Sequence, residues 1–409
     1  MDNYRKKYDL LTQDIAGRGI DIEKVKSRLK AQAIETPSWG YSDSGTRFGP
    51  YKQPGSAVTI EEKIADAAQV HKFTGVAPAV AVHVLWDFKG DNYTEIKTFA
   101  ETQGVKIGSI NPNVFQDPEY AFGSITSEDT AVRKKAVDHI LDSIEIGKAV
   151  GSDVLSLWFA DGTDYPGQGD FRRRKGYAEE CLKKVYNAMP TGMRMLIEYK
   201  PFEPAFYHTD FGDWGMSKAF ADKCGPNAQV LVDLGHHFTG QNIEHIVAFL
   251  IDEERLGGFH FNNHKYADDD LTVGSVNPYE LFLIFNELAK AENAPNNNPP
   301  IAYMVDQAFV TKSKIEAMIQ TIMVIQAAYA KAMLIDRKKL RTAQLANDIV
   351  SAEMCMQEAF NADVEPLLKV VREEMGLGPD PLEAFRRSGY MDKIRKERGI
   401  RTGAGGLGA

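Results

Sequence analysis

Seven residues, Glu198, Asp233, His236, His260, Asp268, Asp270 and Asp306, have the types and spacing to hold metal ions. They stand at or just after four short apolar runs, RMLIEYK, VLVDLGHH, GFHFNNHKYADDD and IAYMVDQ. Asp and Glu are rarely buried unless paired or coordinated, so a carboxylate ending an apolar run needs a partner. One such acid equally well caps the next helix or pairs with a lysine. Glu198, Asp233 and Asp306 together make a shared cation the better reading, and His260, alternating within GFHFN, completes four ligands. Hard oxygens with one imidazole suit Mn2+, Mg2+ or Co2+ rather than a thiolate-selected metal. A second set overlaps the first. His236 follows Asp233 by three residues, and Asp268 and Asp270 share one side of the YADDD loop while Asp269 points away. With Glu198 as a bridge, these describe a two-metal site.

Other residues qualify around this centre. Lys200 lies two residues after Glu198, on the same side by alternation, where an ammonium can hold a substrate oxygen or simply form an ion pair. His83, in VAVHVLW, faces either the same mouth or the core. Trp86, Trp158 and Phe159 fall near run ends, where aromatic walls stack on sugar rings or do ordinary packing. His237 and His264 each neighbour a better-placed ligand and are expected to be solvated or hydrogen-bonded instead. The segment 36–55, ETPSWGYSDSGTRFGPYKQPG, is long enough for a lid.

Positioning these residues requires strands that end at one place. After an N-terminal helical stretch over roughly 4–30, eight apolar runs are predicted as strands: 32–36, 80–86, 105–111, 153–159, 194–199, 230–235, 257–262 and 301–306. Longer amphipathic segments separate them, several ending in Gly (Gly75, Gly104, Gly151, Gly225, Gly257) where a helix C-cap would sit. Such alternation fits a doubly wound sheet as well as a barrel. Eight units, with polar residues gathered at strand C-termini far apart in sequence, favour a (β/α)8 TIM barrel. No Gly-rich nucleotide fingerprint follows the first strand. The barrel, with its N-terminal helix, is expected over 1–335. Residues 336–409 read as a C-terminal helical extension, whose apolar faces either a neighbouring subunit or the chain's own barrel would cover, ending in the Gly-rich tail TGAGGLGA.

Composition bounds the rest. The 409 residues carry a net charge of −9, which argues against binding nucleic acid through phosphate neutralisation. Three scattered cysteines make neither a disulfide framework nor a zinc ribbon. The start, MDNYRKKYDLL, lacks the apolar core of a signal peptide, and no run approaches the length of a membrane span. The expectation is a cytoplasmic protein without a membrane partner.

The motifs ETPSWG–SGTRF, IEYKPFEP, VDLGHH, HFN–YADDDL and VDQ resemble those of metal-dependent aldose–ketose isomerases of the xylose-isomerase superfamily, most closely the broad-specificity bacterial L-rhamnose isomerases. The resemblance spans nearly the whole chain. It implies a structural metal on Glu198, Asp233, His260 and Asp306, and a catalytic metal on Glu198, His236, Asp268 and Asp270. Both would be Mn2+, with Co2+ or Mg2+ as alternatives. It further implies Lys200 beside the substrate O1, His83 at the ring oxygen, and a homotetramer in which Phe48 covers a neighbour's site. The implied reaction interconverts L-rhamnose and L-rhamnulose, and pairs such as D-allose and D-allulose, by a hydride shift between C1 and C2. The rivals are a sugar 3-epimerase or another isomerase on the same barrel, a zinc endonuclease richer in histidine, and a sugar-binding protein without catalysis.

Overall fold

The computed structural model describes residues 3–46, 49–202, 207–293 and 300–401. Eight parallel strands close into a barrel: β1 (Ile34–Pro37), β2 (Ala79–His83), β3 (Lys106–Asn111), β4 (Val154–Leu157), β5 (Arg194–Glu198), β6 (Ala228–Asp233), β7 (Leu256–Phe261) and β8 (Ala302–Val305). Each pairs with its sequence neighbours, and β1 closes the ring against β8. Helices cover the outside: α1 (Asn3–Gly17), α2 (Ile22–Lys30), α3 (Ile60–Thr74), α4 (Tyr93–Thr102), α5 (Thr130–Val150), α6 (Phe171–Ala188), α7 (Trp214–Cys224), α8 (Ile243–Asp252), α9 (Pro278–Asn293) and α10 (Lys314–Met333). The (β/α)8 barrel is therefore the observed fold. Among the described residues no single helix is long and apolar enough to cross a membrane.

One layer of side chains inside the barrel explains where the polar residues point. Val154, Leu196, Leu231 and Met304, from β4, β5, β6 and β8, form a small buried cluster of their own. Strand side chains alternate with period two, so the next inward position on each strand is Ser156, Glu198, Asp233 and Asp306. On β7 the matching step runs from Gly258 to His260. A Cβ on Gly258 would come within 3.3 Å of Leu196 Cδ1 and 2.9 Å of the Ala302 carbonyl, so the apolar layer closes only without a side chain there.

Four details differ from the sequence expectation. The N-terminal helix is two helices, broken where Gly19 turns at φ +74 and Asp21 accepts from the Glu23 and Lys24 amides to start α2. The second strand stops at His83 instead of running through Trp86, because Val84–Asp87 turns helical with the Asp87 carboxylate accepting the His83 amide at 2.8 Å. Gly75 and Gly151 do cap helices in the left-handed conformation, but Gly257 lies inside β7, and α8 ends earlier at Asp252. The early segment is no open flap over its first part: Ser38, Trp39 and Tyr41 are buried.

The C-terminal extension packs within the chain. Its helices α11 (Arg337–Leu345), α12 (Ile349–Phe360), α13 (Glu365–Glu374), α14 (Pro381–Arg387) and α15 (Tyr390–Arg398) fold back on their own barrel. Leu367, Leu368, Val371, Phe385 and Ile394 join the barrel's outer core, and Phe385 meets Phe73 of α3 edge-on. The chain thus covers those faces itself, while Leu345, Ile349, Val350 and Met354 of α11 and α12 stay exposed.

The end of this arm is held by Arg398, whose guanidinium pairs with the buried Asp66 carboxylate of α3 at 2.7 and 2.9 Å. Removing one partner of a buried pair leaves the other charge unpaired. Arg398→Met is expected to cost about 3 kcal/mol of unfolding free energy, measured by urea denaturation. A loss too small to measure would show that this contact does not anchor the arm.

Candidate metal centre and active site

The carboxyl ends of β5 to β8 bring all seven predicted ligands to one mouth of the barrel. Register sets Asp233 beside His260, and His260 beside Met304, two residues before Asp306. Glu198 Oε1 lies 3.2 Å from His236 Nδ1 and 3.4 Å from His260 Nδ1, between the two imidazoles. His260 Nδ1 is also 3.7 Å from both Asp233 Oδ2 and Asp306 Oδ2, yet it makes no hydrogen bond. Two groups of donor atoms fall within 4.8 Å of one another: Asp233, His260 and Asp306, and Glu198, Asp233 and His236. The shared carboxylate expected from sequence was Glu198; the structure puts Asp233 in reach of both groups as well.

Backbone contacts set the orientation of these ligands. The Tyr199 carbonyl can only accept, so its 3.0 Å contact with His236 fixes the proton on Nδ1. His236 Nε2 is left as the free lone pair, 3.4 Å from Asp268 Oδ1. Asp233 is steadied by Asn262 Nδ2, at 2.9 and 3.0 Å from its two oxygens, and by the Gly235 amide. The loop carrying Asp268 and Asp270 is pinned at its ends by a bridge between Asn263 and Leu271. Within it Asp270 adopts φ +46, and both Asp268 and Asp270 face the cavity. Asp269 is exposed and turns to cap the Lys265 and Tyr266 amides.

Lys200 reaches across the same cavity. Its ammonium donates to Asp268 Oδ2 at 2.6 Å and lies 5.3 Å from the centre of the Trp158 ring. The wall opposite the carboxylates is aromatic. His83 sits between Trp39 and Trp86 at ring distances of 4.7 and 4.1 Å, and Phe115 stands edge-on to Trp158 at 4.9 Å. Trp86 therefore lines the cavity from the helical turn after β2. Phe159 instead stacks on Phe211 outside the cavity, and Phe48 lies outside the described residues. His237 is buried against the Tyr199 hydroxyl at 2.6 Å, and His264 is half-buried; neither lines the cavity.

The comparisons with known proteins agree with this geometry. The family model described as "Xylose isomerase-like TIM barrel" matches residues 65–287. A "Probable sugar isomerase" of Rhizobium meliloti is 41% identical over 410 residues, covering 99% of this chain and 95% of the relative. A second "Probable sugar isomerase", of Mesorhizobium japonicum, is 39% identical over 98% of this chain and 94% of its own. The chain belongs to the xylose isomerase-like TIM barrels. A solved structure described as L-ribulose 3-epimerase shares the fold, with a TM-score of 0.52 and 13% identity, over 81% of this chain and 99% of that one.

In this xylose isomerase-like barrel the electrostatics call for a cation. Burial and the neighbouring carboxylates push the Asp270 carboxyl well above its ordinary value, and burial raises Asp306. Burial also lifts Asp233 to about 7, with Glu198 and Asp268 adding to the effect. Burial opposes charge on Glu198, but His260 and His236 outweigh it and hold its carboxyl down at about 2. Burial likewise opposes charge on the imidazoles, yet Glu198 and its neighbours raise His260 to about 9, and Asp233 and Asp268 raise His236 well above its ordinary value. Without a metal, protons compensate the crowded acids. The orphaned His260 Nδ1 and Asp268 Oδ1 atoms, together with the oxygen-rich donor set, fit divalent cations.

Two contributors escaped the sequence reading. Trp39 donates from Nε1 to Asp306 Oδ1 at 2.8 Å, orienting a candidate ligand from the end of the neighbouring strand β1, which closes the ring against β8. Asn262 orients Asp233. Its alternation with His260 in GFHFN was visible, but nothing local showed that barrel closure sets Trp39 beside Asp306, 267 residues away.

Metal uptake must displace the compensating protons. Apparent Mn2+ affinity is expected to rise from about pH 6 to about pH 9, as His260 and Asp233 lose protons. Calorimetry in buffers of different ionisation enthalpy should register proton release. An affinity flat across that window would remove the histidines from the ligand set.

Proposed function

We propose that this chain is a metal-dependent aldose–ketose isomerase interconverting L-rhamnose and L-rhamnulose, with activity on pairs such as D-allose and D-allulose. The observation that carries this reading is the meeting of Lys200, Asp268 and Asp270 with the Glu198, Asp233, His260 and Asp306 group in one aromatic-walled cavity. That combination offers a place for two adjacent sugar oxygens and a group to move a proton between them. Two divalent ions, Mn2+ by preference or Co2+ or Mg2+, would polarise the carbonyl and acidify the neighbouring hydroxyl.

The chain's own residues would do the rest. Lys200 holds O1 and neutralises charge developing on it, while Asp268 keeps the ammonium in place. Asp270 lines the cavity beside Asp268 and Lys200, placed to guide the O2 proton to O1 as hydrogen moves with its electron pair from C2 to C1. His83 is held neutral: burial, with Lys63 and His260 nearby, lowers it to about 3. Its unpartnered Nδ1 suits a hydrogen bond to the sugar near the ring oxygen during opening. Trp86, Trp158 and Trp39 give apolar surface for the sugar's C–H faces and keep water from the carbonyl.

Asp270→Asn should lower kcat by about 100-fold or more, while sugar affinity changes only a few-fold. Equal losses in both would contradict the proton-carrying role. The reaction itself is tested by supplying the Mn2+-loaded protein with a panel of aldoses and ketoses. A ketose formed from L-rhamnose supports the reading, whereas C3 epimers formed from ketoses would favour an epimerase.

The family resemblance extends the proposal to a homotetramer acting in the cytoplasm. Sedimentation at micromolar concentration should give four times the chain mass, and a monomer would refute that part alone.

A further inference from the structure

We propose that Arg174, far from the metal ligands, is a positioning residue that sets the substrate-facing geometry of Lys200. This deepens the isomerase reading and rests on Lys200 contacting the sugar. Arg174 lies on α6 and is 2% exposed. Its guanidinium spans three consecutive loops at the barrel mouth. It donates to the Phe122 carbonyl and Thr126 hydroxyl after β3, at 3.0 and 2.8 Å, and to the Gly162 carbonyl after β4, at 3.0 Å. After β5 it meets both oxygens of Asp210, with Nη2 to Oδ2 at 2.7 Å.

A second buried acid ties the same loops together. Asp161 accepts from the amides and hydroxyls of Ser124 and Thr126, and its own carbonyl takes the Asp210 amide at 2.9 Å. Space is left for the guanidinium by glycines: a Cβ on Gly123 would sit 2.9 Å from Arg174 Nη2, and one on Gly169 2.9 Å from its Cδ. From this knot the chain leads straight to Lys200. The Thr209 hydroxyl donates to the Lys200 carbonyl, and the Lys200 amide donates to the Phe211 carbonyl at 2.9 Å. Each clamped loop reaches the cavity: Pro112 and Phe115 after β3, Trp158 after β4 and Lys200 after β5.

A buried ion pair contributes little net stability compared with apolar residues of the same shape. What this one adds is a fixed relation among three loops. Loosening it frees Lys200 from its place over Trp158 and reaches the metal ligands only through the Lys200 contact with Asp268.

The test is a double-mutant cycle on the Mn2+-loaded full chain, with Arg174→Lys and Arg174→Met each combined with Lys200→Gln. Sugar Kd for L-rhamnose is read by calorimetry and kcat/KM where turnover is measurable. Arg174→Lys, which retains the charge, keeps the variant folded if Arg174→Met does not. Either change should weaken sugar binding about tenfold in the native background and have no further effect beside Lys200→Gln, because residues acting as one unit are non-additive. Mn2+ affinity should change less than sugar affinity, since the ligands are reached only through the Lys200–Asp268 contact. Additive losses, or unaltered sugar binding in the single variants, would overturn the proposal.

A second arm needs no sugar. Arg174→Lys should speed hydrogen exchange at the Lys200 and Asp210 amides and leave the β5 and β6 strand amides protected; unchanged exchange at both would also overturn it. A native protein that binds L-rhamnose without isomerising it refutes the proposed reaction and still lets the cycle be read. If no aldose binds, the exchange arm alone decides.

Discussion

Five carboxylates and two imidazoles within a few ångströms of one another are the condition around which this barrel is organised. Like charges that close repel strongly where water is scarce, and without cations the acids must hold protons instead. The raised positions of Asp233, Asp270 and Asp306 express that conflict. Lys200 and the imidazoles relieve part of it, and divalent ions would relieve the remainder. Directly beneath the cluster lies the apolar layer of Val154, Leu196, Leu231 and Met304.

The opposite wall rests on a different buried charge. Lys63 and Asp87 pair at 2.6 Å with both side chains fully buried. The same carboxylate takes the Ser38 hydroxyl at 2.5 Å and the His83 amide at 2.8 Å. One acid thus joins the loop after β1, helix α3 and the end of β2, which carry Trp39, His83 and Trp86. Together with the Arg174 knot, it makes the cavity walls depend on ionic contacts outside the cavity. Polar ties of this sort specify geometry better than apolar packing does, since their partners are directional.

Legibility varied with the range of the interaction. Strand periodicity revealed the eight barrel strands to within a few residues, and acids ending apolar runs drew attention to Glu198, Asp233 and Asp306. Trp86 was read as strand because VAVHVLW is continuously apolar; a tertiary bond from Asp87 ends the strand at His83. Gly257 looked like a helix cap because nothing local shows that it must leave room for Leu196 and Gln229, which stand against the place its Cβ would take. The C-terminal helices were legible as amphipathic, but an apolar face does not say which surface it covers. Packing against α1, α3 and α10 answered that within the chain.

The sequence by itself determined the barrel class and the inventory of donor atoms, because both follow from period-two alternation and from residue chemistry. Only the tertiary structure decided that Asp233 reaches both ligand groups, that Trp39 steadies Asp306, and that Arg174 ties three loops to Lys200. The Arg174–Asp210 contact joins residues 36 positions apart, and the Trp39–Asp306 contact residues 267 apart. Distance and direction in space, which closure of the barrel sets, are not written in local spacing.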